Sequence, residues 1–363
     1  MKSRAMVLTA FKQPLVMEEI EVPVLKEGEI LVELEASGIC GSDVHMWQGE
    51  DPRTPLPIIL GHEGVGRIAA MNGPHATVEG DPVKEGDRIL WNRGVTCGHC
   101  YACKVLLMPW LCESRKVYGI NRSRAEAPYL NGCYSEYLIL SPGTDLFRVD
   151  EKTDPAILVS ASCSGATAAN AFDTVKINPG DTVVIQGPGP LGVYGVAYAK
   201  KMGAKNIAVI GGSPQRLELC KEFGATHLIN RRELNAEQRL EVVRTLTHGR
   251  GADMVLEAAG ARGAAQEVLN LARPGGSCVL TGYAQPVGTE EIDFYIQVVK
   301  KHLNIQGIWV SDTRHTRQAM ELVLEQPEQF TKLITHRFPL EKANSALEAM
   351  HTKEALKAVL TFK

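Results

Sequence analysis

The sequence predicts an α/β protein made of a β-rich part and a doubly wound parallel sheet, and three observations carry that expectation. The chain has 363 residues, more than one ordinary core organises, so two domains are expected. Its first part holds β-branched runs broken by glycine and proline, such as GEILVELEASG, GVGRIAAM and GDRILWN, the texture of short strands joined by turns. From near residue 155 the texture changes to apolar strand-like runs alternating with helix-like segments across short glycine joints, which predicts parallel βαβ units.

Taken in order, that second region reads DTVVIQG as strand, PLGVYGVAYAKKMG as helix, NIAVIGG as strand, SPQRLELCKEFG as helix and THLIN as strand. ADMVLEAAG and GGSCVLTGY follow as strands, and the apolar LNIQGIWV run, residues 303–310, is an edge-strand candidate. TRQAMELVLEQ and LEKANSALEAMH are helical, and KAVLTF is a strand. Hydrophobic residues make up 44% and charged residues 22%, an ordinary globular balance, and the net charge of -3 provides no basic field for nucleic acid or a membrane surface. MKSRAMVLTAFKQP lacks the apolar core of a signal peptide, and no uncharged apolar run reaches the ~18 residues of a membrane span, so a cytoplasmic location is expected.

TVVIQGPGPLG places Gly187, Gly189, Pro190, Leu191 and Gly192 between an apolar strand and a helix. The first glycine permits a tight turn, the second lets backbone approach a pyrophosphate, and the third lets helix pack on strand. The helix N-terminus then offers free N–H groups to phosphate, the arrangement of a Rossmann dinucleotide site. The next strand ends in Gly211, Gly212 and Ser213, with Arg216 following, where an NAD site usually carries an acid for the ribose 2′-hydroxyl. With no carboxylate to repel a 2′-phosphate and an arginine nearby, the expected cofactor is NAD(P), with NADP favoured.

Nine cysteines, an odd number, argue against a disulfide framework. Cys97, Cys100, Cys103 and Cys112 crowd into one stretch at x2, x2, x8 spacing, which suits a closed four-thiolate structural zinc. His99 is expected to be exposed rather than ligating, and Cys133 to be a core residue. A second candidate set is dispersed. GICGSDVH supplies Cys40, PLPIILGHEGVG supplies His62 and Glu63, and SASCSGATAANAF supplies Cys163. On the residues alone, Cys40 is equally a core thiol, a nucleophile or a ligand, His62 a satisfied turn histidine, and Cys163 a packing residue.

Together, GICGSDVH, GHEGVG, the four-cysteine lobe, CSGAT and the strand with GPGPLG resemble the zinc-dependent medium-chain alcohol dehydrogenase superfamily. The resemblance spans nearly the whole chain, including KLITHRFPLEKANSALEAM and ALKAVLTF. It implies a GroES-like β-rich catalytic domain, residues 1–157 and 309–363, with a structural zinc lobe at about 93–115. A Rossmann NAD(P)-binding domain, 158–308, would be inserted into it. It also implies two zinc ions per chain, the catalytic one held by Cys40, His62 and Cys163 with Glu63 ligating transiently or supporting from close by. By the same resemblance Asp43 orients His62, Ser42 and His45 form a proton relay, and Lys357 lies near the cofactor pyrophosphate. The substrate is then a small alcohol or carbonyl compound, and the assembly a homodimer or homotetramer.

Some features depart from the family pattern. The lobe usually has x7 before its last cysteine, and Leu111 holds that slot here. CGSDVH followed by Met46 and Trp47 resembles the polyol dehydrogenase branch, which commonly has glutamate in place of Cys163. Arg93 stands where many members carry an apolar pocket residue, so Arg93, with Trp47 and Arg53, is expected to line a pocket for a polar or anionic substrate. A zinc-free reductase would leave Cys40, His62 and Cys163 idle, and a non-enzymatic binding protein would have no use for a proton relay.

Overall fold

The computed structural model describes residues 1–362 and divides the chain into two compact units. One comprises Met1–Cys163 with Ser311–Lys363, the other Ser164–Val310. The expected junctions after residues 157 and 308 therefore move to follow Cys163 and Val310. The reason is local: the 3₁₀ turn Val159–Ser162 packs against the helix Thr313–Glu325 and stays with the first unit.

The first unit is dominated by a seven-stranded sheet. Its central strand, Ile30–Ile39, is antiparallel to Gly64–Met71 on one side and to Ala358–Thr361 on the other. Tyr137–Leu140 pairs with the first half of the same strand. Arg88–Trp91 and Leu146–Arg148 extend the sheet beyond Gly64–Met71, and His336–Pro339 extends it beyond Ala358–Thr361. One hydrophobic cluster around Val32, Leu34, Ile68, Trp91 and Cys133 lies under this sheet. Another joins Ile39, Ile58, Leu60 and Tyr134 to the helix Ala343–His351. A separate two-stranded ribbon, Gly94–Val95 with Lys116–Val117, closes the base of the cysteine lobe.

The second unit is a six-stranded parallel sheet. Its order is His227–Asn230, Asn206–Gly211, Thr182–Gln186, Ala252–Glu257, Ala272–Leu280 and Asn304–Gly307. Thr182–Gln186 is buried along its whole length, as a strand covered on both faces must be, which is why it reads as an unbroken apolar run rather than an alternation. Asn235 and Gln238 cap the helix Ala236–Leu246 reciprocally, and Ser213 caps Pro214–Phe223. Asn304–Gly307 is one of the two edge strands, with Ile305 on it and Trp309 just beyond it each 40% exposed. No helix among the described residues is long and apolar enough to cross a membrane.

Cys220 and Cys278 lie in the core of the second unit, fully buried, and burial raises each thiol to about 12. The thiolate is the reactive form, so at pH 8 neither should react with iodoacetamide in the native protein, and both should react in denaturant. Peptide mass mapping checks this; rapid native labelling of either would show that this core opens.

Candidate active site

The strand Ile30–Ile39 delivers Cys40 to the start of the helix Gly41–Gln48, and that junction organises the first cluster. Asp43, one turn in, accepts a hydrogen bond from the Cys40 N–H at 2.8 Å through Oδ2. Its Oδ1 faces His62 Nδ1 at 3.3 Å, and both side chains are wholly buried. The opposite ring nitrogen, Nε2, is thereby turned to Cys163 Sγ at 3.3 Å. The two sulfurs of Cys40 and Cys163 are 3.8 Å apart. One ligand atom each from Cys40, His62, Glu63 and Cys163 lies within 4.8 Å of all the others.

Charge is concentrated here. The hydrogen bond from Cys163 draws the Cys40 thiol well below its usual range, and that same contact, with burial, holds Cys163 well above it. Burial opposes charge on His62, but Asp43 and Cys40 outweigh it and lift the imidazole to about 9. Glu63 is wholly buried, and its Oε1 has no hydrogen-bond partner. Two soft sulfurs, one imidazole and a carboxylate with an orphaned oxygen form a donor set that fits zinc.

Lys357 belongs to this cluster. Its Nζ pairs with Glu63 Oε2 and donates to the Ile39 carbonyl at 3.1 Å, and the residue is only 1% exposed. The register explains it, because Ala358 sits opposite Ile39 and brings the preceding lysine over Glu63. Gly38 makes the space: a Cβ there would stand 2.1 Å from Glu63 Oε2 and 3.1 Å from Lys357 Cε.

The other expected residues divide. Ser42 is half-buried with its hydroxyl 3.8 Å from Cys40 Sγ, while His45, further along the same helix, is held by Glu50 at 2.6 Å and reaches solvent. Arg93 is 4% exposed and donates to Cys163 Sγ at 2.8 Å, so the guanidinium lies against the metal cluster. Trp47 is engaged elsewhere: its indole donates to the Gln13 carbonyl at 2.7 Å and meets His351 edge-on. Arg53 grips Asp51 at 2.5 Å.

Cys97, Cys100, Cys103 and Cys112 form the second set, again within 4.8 Å. The extra residue is absorbed by a 3₁₀ turn at Pro109–Leu111, which turns Leu111 outward, 44% exposed, and Cys112 inward. Backbone N–H groups of Cys97 and Cys100 point at Cys112 and Cys97 sulfurs, each at 3.4 Å, and such contacts favour thiolate. His99 is exposed, bound to the Cys97 carbonyl at 2.7 Å.

In the second unit Gly187 has φ of 110°, and a Cβ on Gly192 would lie 1.9 Å from the Gly187 carbonyl oxygen. Gly189 caps the helix Pro190–Lys201, which begins with Pro190 and Leu191, and nothing crowds it within 4 Å. Ser213 Oγ accepts from the Arg216 N–H at 3.5 Å. Arg231 and Arg232 went unnoticed in the sequence: their Nε atoms lie 3.1 and 3.4 Å from a Cβ built on Gly212. The signal was the RR following THLIN, since parallel neighbouring strands end at one sheet edge.

These features agree with comparisons to known proteins. Residues 190–325 match the zinc-binding dehydrogenase family, and residues 26–151 match the alcohol dehydrogenase GroES-like domain. The chain is 34% identical over 351 residues to 5-exo-hydroxycamphor dehydrogenase of Pseudomonas putida, covering 95% of each. It is 29% identical over 351 residues to L-threonine 3-dehydrogenase of Escherichia coli, covering 95% of this chain and 96% of the relative. A crystal structure of an alcohol dehydrogenase from Thermotoga maritima superposes with a TM-score of 0.96 at 50% identity over 99% of both chains. The chain belongs to the zinc-dependent medium-chain alcohol dehydrogenase superfamily. It is an NAD(P)-dependent oxidoreductase of that class, with a GroES-like unit and a Rossmann unit.

The tight seat at Gly38 gives a direct test. Gly38→Ala should cost about 1–3 kcal/mol of stability, the usual penalty of overpacking, and should reduce bound zinc because Glu63 must move. Denaturant unfolding with metal analysis reads both, and a variant with wild-type stability and zinc content would refute the seat.

Proposed function

We propose that this enzyme interconverts a small alcohol and its aldehyde or ketone, with catalytic zinc on Cys40, His62 and Cys163 and Glu63 beside it. The convergence of those four ligand atoms within 4.8 Å is the observation that carries the reading. When bound, zinc supplies Lewis acidity toward the substrate oxygen, and nicotinamide takes or gives the hydride. The chain's own residues do the rest. Asp43 fixes the His62 ring through Nδ1 and keeps Nε2 facing the metal position. Lys357 compensates the Glu63 carboxylate where no water can. Ser42 Oγ receives the substrate's hydroxyl proton, and His45, at the solvent-facing end of the same helix, passes it out. Glu50 holds that imidazole in place.

The four-cysteine lobe holds a second, structural zinc. Cys112→Ser should therefore drop the metal content from about two ions per chain to about one, whereas Leu111→Ser should leave it unchanged. Inductively coupled plasma mass spectrometry decides it, and equal loss in both variants would mean that the lobe does not use Cys112.

For the cofactor we propose NADP, with Arg231 and Arg232 joining Gly211, Ser213 and Arg216 around the 2′-phosphate. Initial rates with simple alcohols, polyols, ketones and aldehydes against NADH and NADPH test function and cofactor together. Arg231→Ala with Arg232→Ala should lower the NADPH-to-NADH ratio of kcat/KM by about 10- to 100-fold, the worth of charge-assisted hydrogen bonds. An NADH preference in the wild type would sink the assignment. Nine free thiols suit a reducing compartment, so we assign the enzyme to the cytoplasm. Exposed Phe294, Tyr295, Ile305 and Trp309, on and beside the edge strand, support pairing of two copies there.

A further inference from the structure

Arg93 and Arg115 are two guanidinium groups that no acid among the described residues neutralises. The ribbon Gly94–Val95 with Lys116–Val117 brings them together: Gly94 follows Arg93, Lys116 follows Arg115, and the Tyr118 N–H donates to the Arg93 carbonyl at 3.2 Å. The Arg115 head lies flat on Gly94, where a Cβ would be 2.4 Å from Nη2 and 2.6 Å from Cζ. Any side chain at 94 would expel it.

Arg93 Nη1 is spent on Cys163 Sγ at 2.8 Å, but its buried Nε has no partner, nor has the buried Nη2 of Arg115. Neither residue forms an ion pair with a described carboxylate, although acids are close. Asp51 is taken by Arg53, Asp145 by Thr313 Oγ1 and Asp312 by His315 at 2.7 Å. Burial, and then repulsion from Arg93 and Arg53, works against the charge on Arg115. A protein gains nothing from burying two like charges with unused donors. The arrangement makes sense when an anion completes it.

We propose that Arg93 and Arg115 bind an oxyanion, carboxylate or phosphate, carried by the alcohol or carbonyl substrate, and so select anionic substrates. This rests on the zinc dehydrogenase reading above, because Arg93 also touches the metal ligand Cys163. Arg115 touches no ligand sulfur by hydrogen bond and is the cleaner probe.

The experiment pairs oxyanions with neutral counterparts: 4-hydroxybutyrate with 4-hydroxybutanamide, and glycerol 3-phosphate with glycerol. Zinc-loaded enzyme with NADP is titrated calorimetrically with each, and turnover is followed separately. The expected result is that at least one oxyanion binds ten-fold or more tightly than its neutral partner, with the preferred arm separating carboxylate from phosphate. Arg115→Gln should cut that preference by about 10- to 100-fold, and Arg115→Lys should restore part of it. Equal binding of charged and neutral partners by wild type, or an undiminished preference in a folded Arg115→Gln, overturns the proposal. If Arg115→Gln does not fold, the wild-type comparison with Arg115→Lys decides. Oxyanion binding without turnover of any alcohol or carbonyl would instead defeat the dehydrogenase reading and leave the anion site standing.

Discussion

The buried ion pair between Glu63 and Lys357 is the constraint on which the catalytic unit depends. A carboxylate and an ammonium, both removed from water, survive only if each has the other and their remaining valences are met. Lys357 spends a second donor on the Ile39 carbonyl, and Glu63 keeps one oxygen free toward the cysteine pair. The sheet order follows from this need. Ala358–Thr361 must lie beside Ile30–Ile39 in the observed register, and position 38 must lack a side chain.

Around that pair the site layers its charges. Asp43 stands behind His62, and Arg93 stands behind Cys163, so an imidazole and a cysteine sulfur each have a charged group on their far side. Such outer contacts fix the orientation of ligands and temper their basicity. The cysteine lobe works differently, with backbone N–H groups doing what side chains do at the first cluster. One centre is tuned by side chains that can vary, the other by main chain that cannot.

Much of this was legible in the residues. The glycine loop was readable because each glycine answers a separate steric demand, and the lobe because four close thiols have few other uses. Cys40, His62 and Cys163 could be joined only through family resemblance, since their convergence comes from tertiary folding and not from spacing. The Glu63 partner of Lys357 was missed for the same reason. A lysine in an apolar strand announces a charge but not its partner, and only the register of two distant strands reveals Glu63. Arg231 and Arg232 were overlooked because they follow a neighbouring strand, and proximity across a parallel sheet is invisible along the chain. Arg115 gave no signal at all, since what matters about it is that the acids close to it are engaged by other residues.

The ion pair joins residues 294 positions apart. On the ribosome, where chains emerge at about 5–20 residues per second, the glutamate is made well before its lysine. Until the last strand arrives, the nascent β-rich unit carries an acid with no counter-charge and an unfilled strand position beside Ile39. The active centre is therefore assembled last, after the intervening nucleotide-binding unit has had time to fold as a separate body.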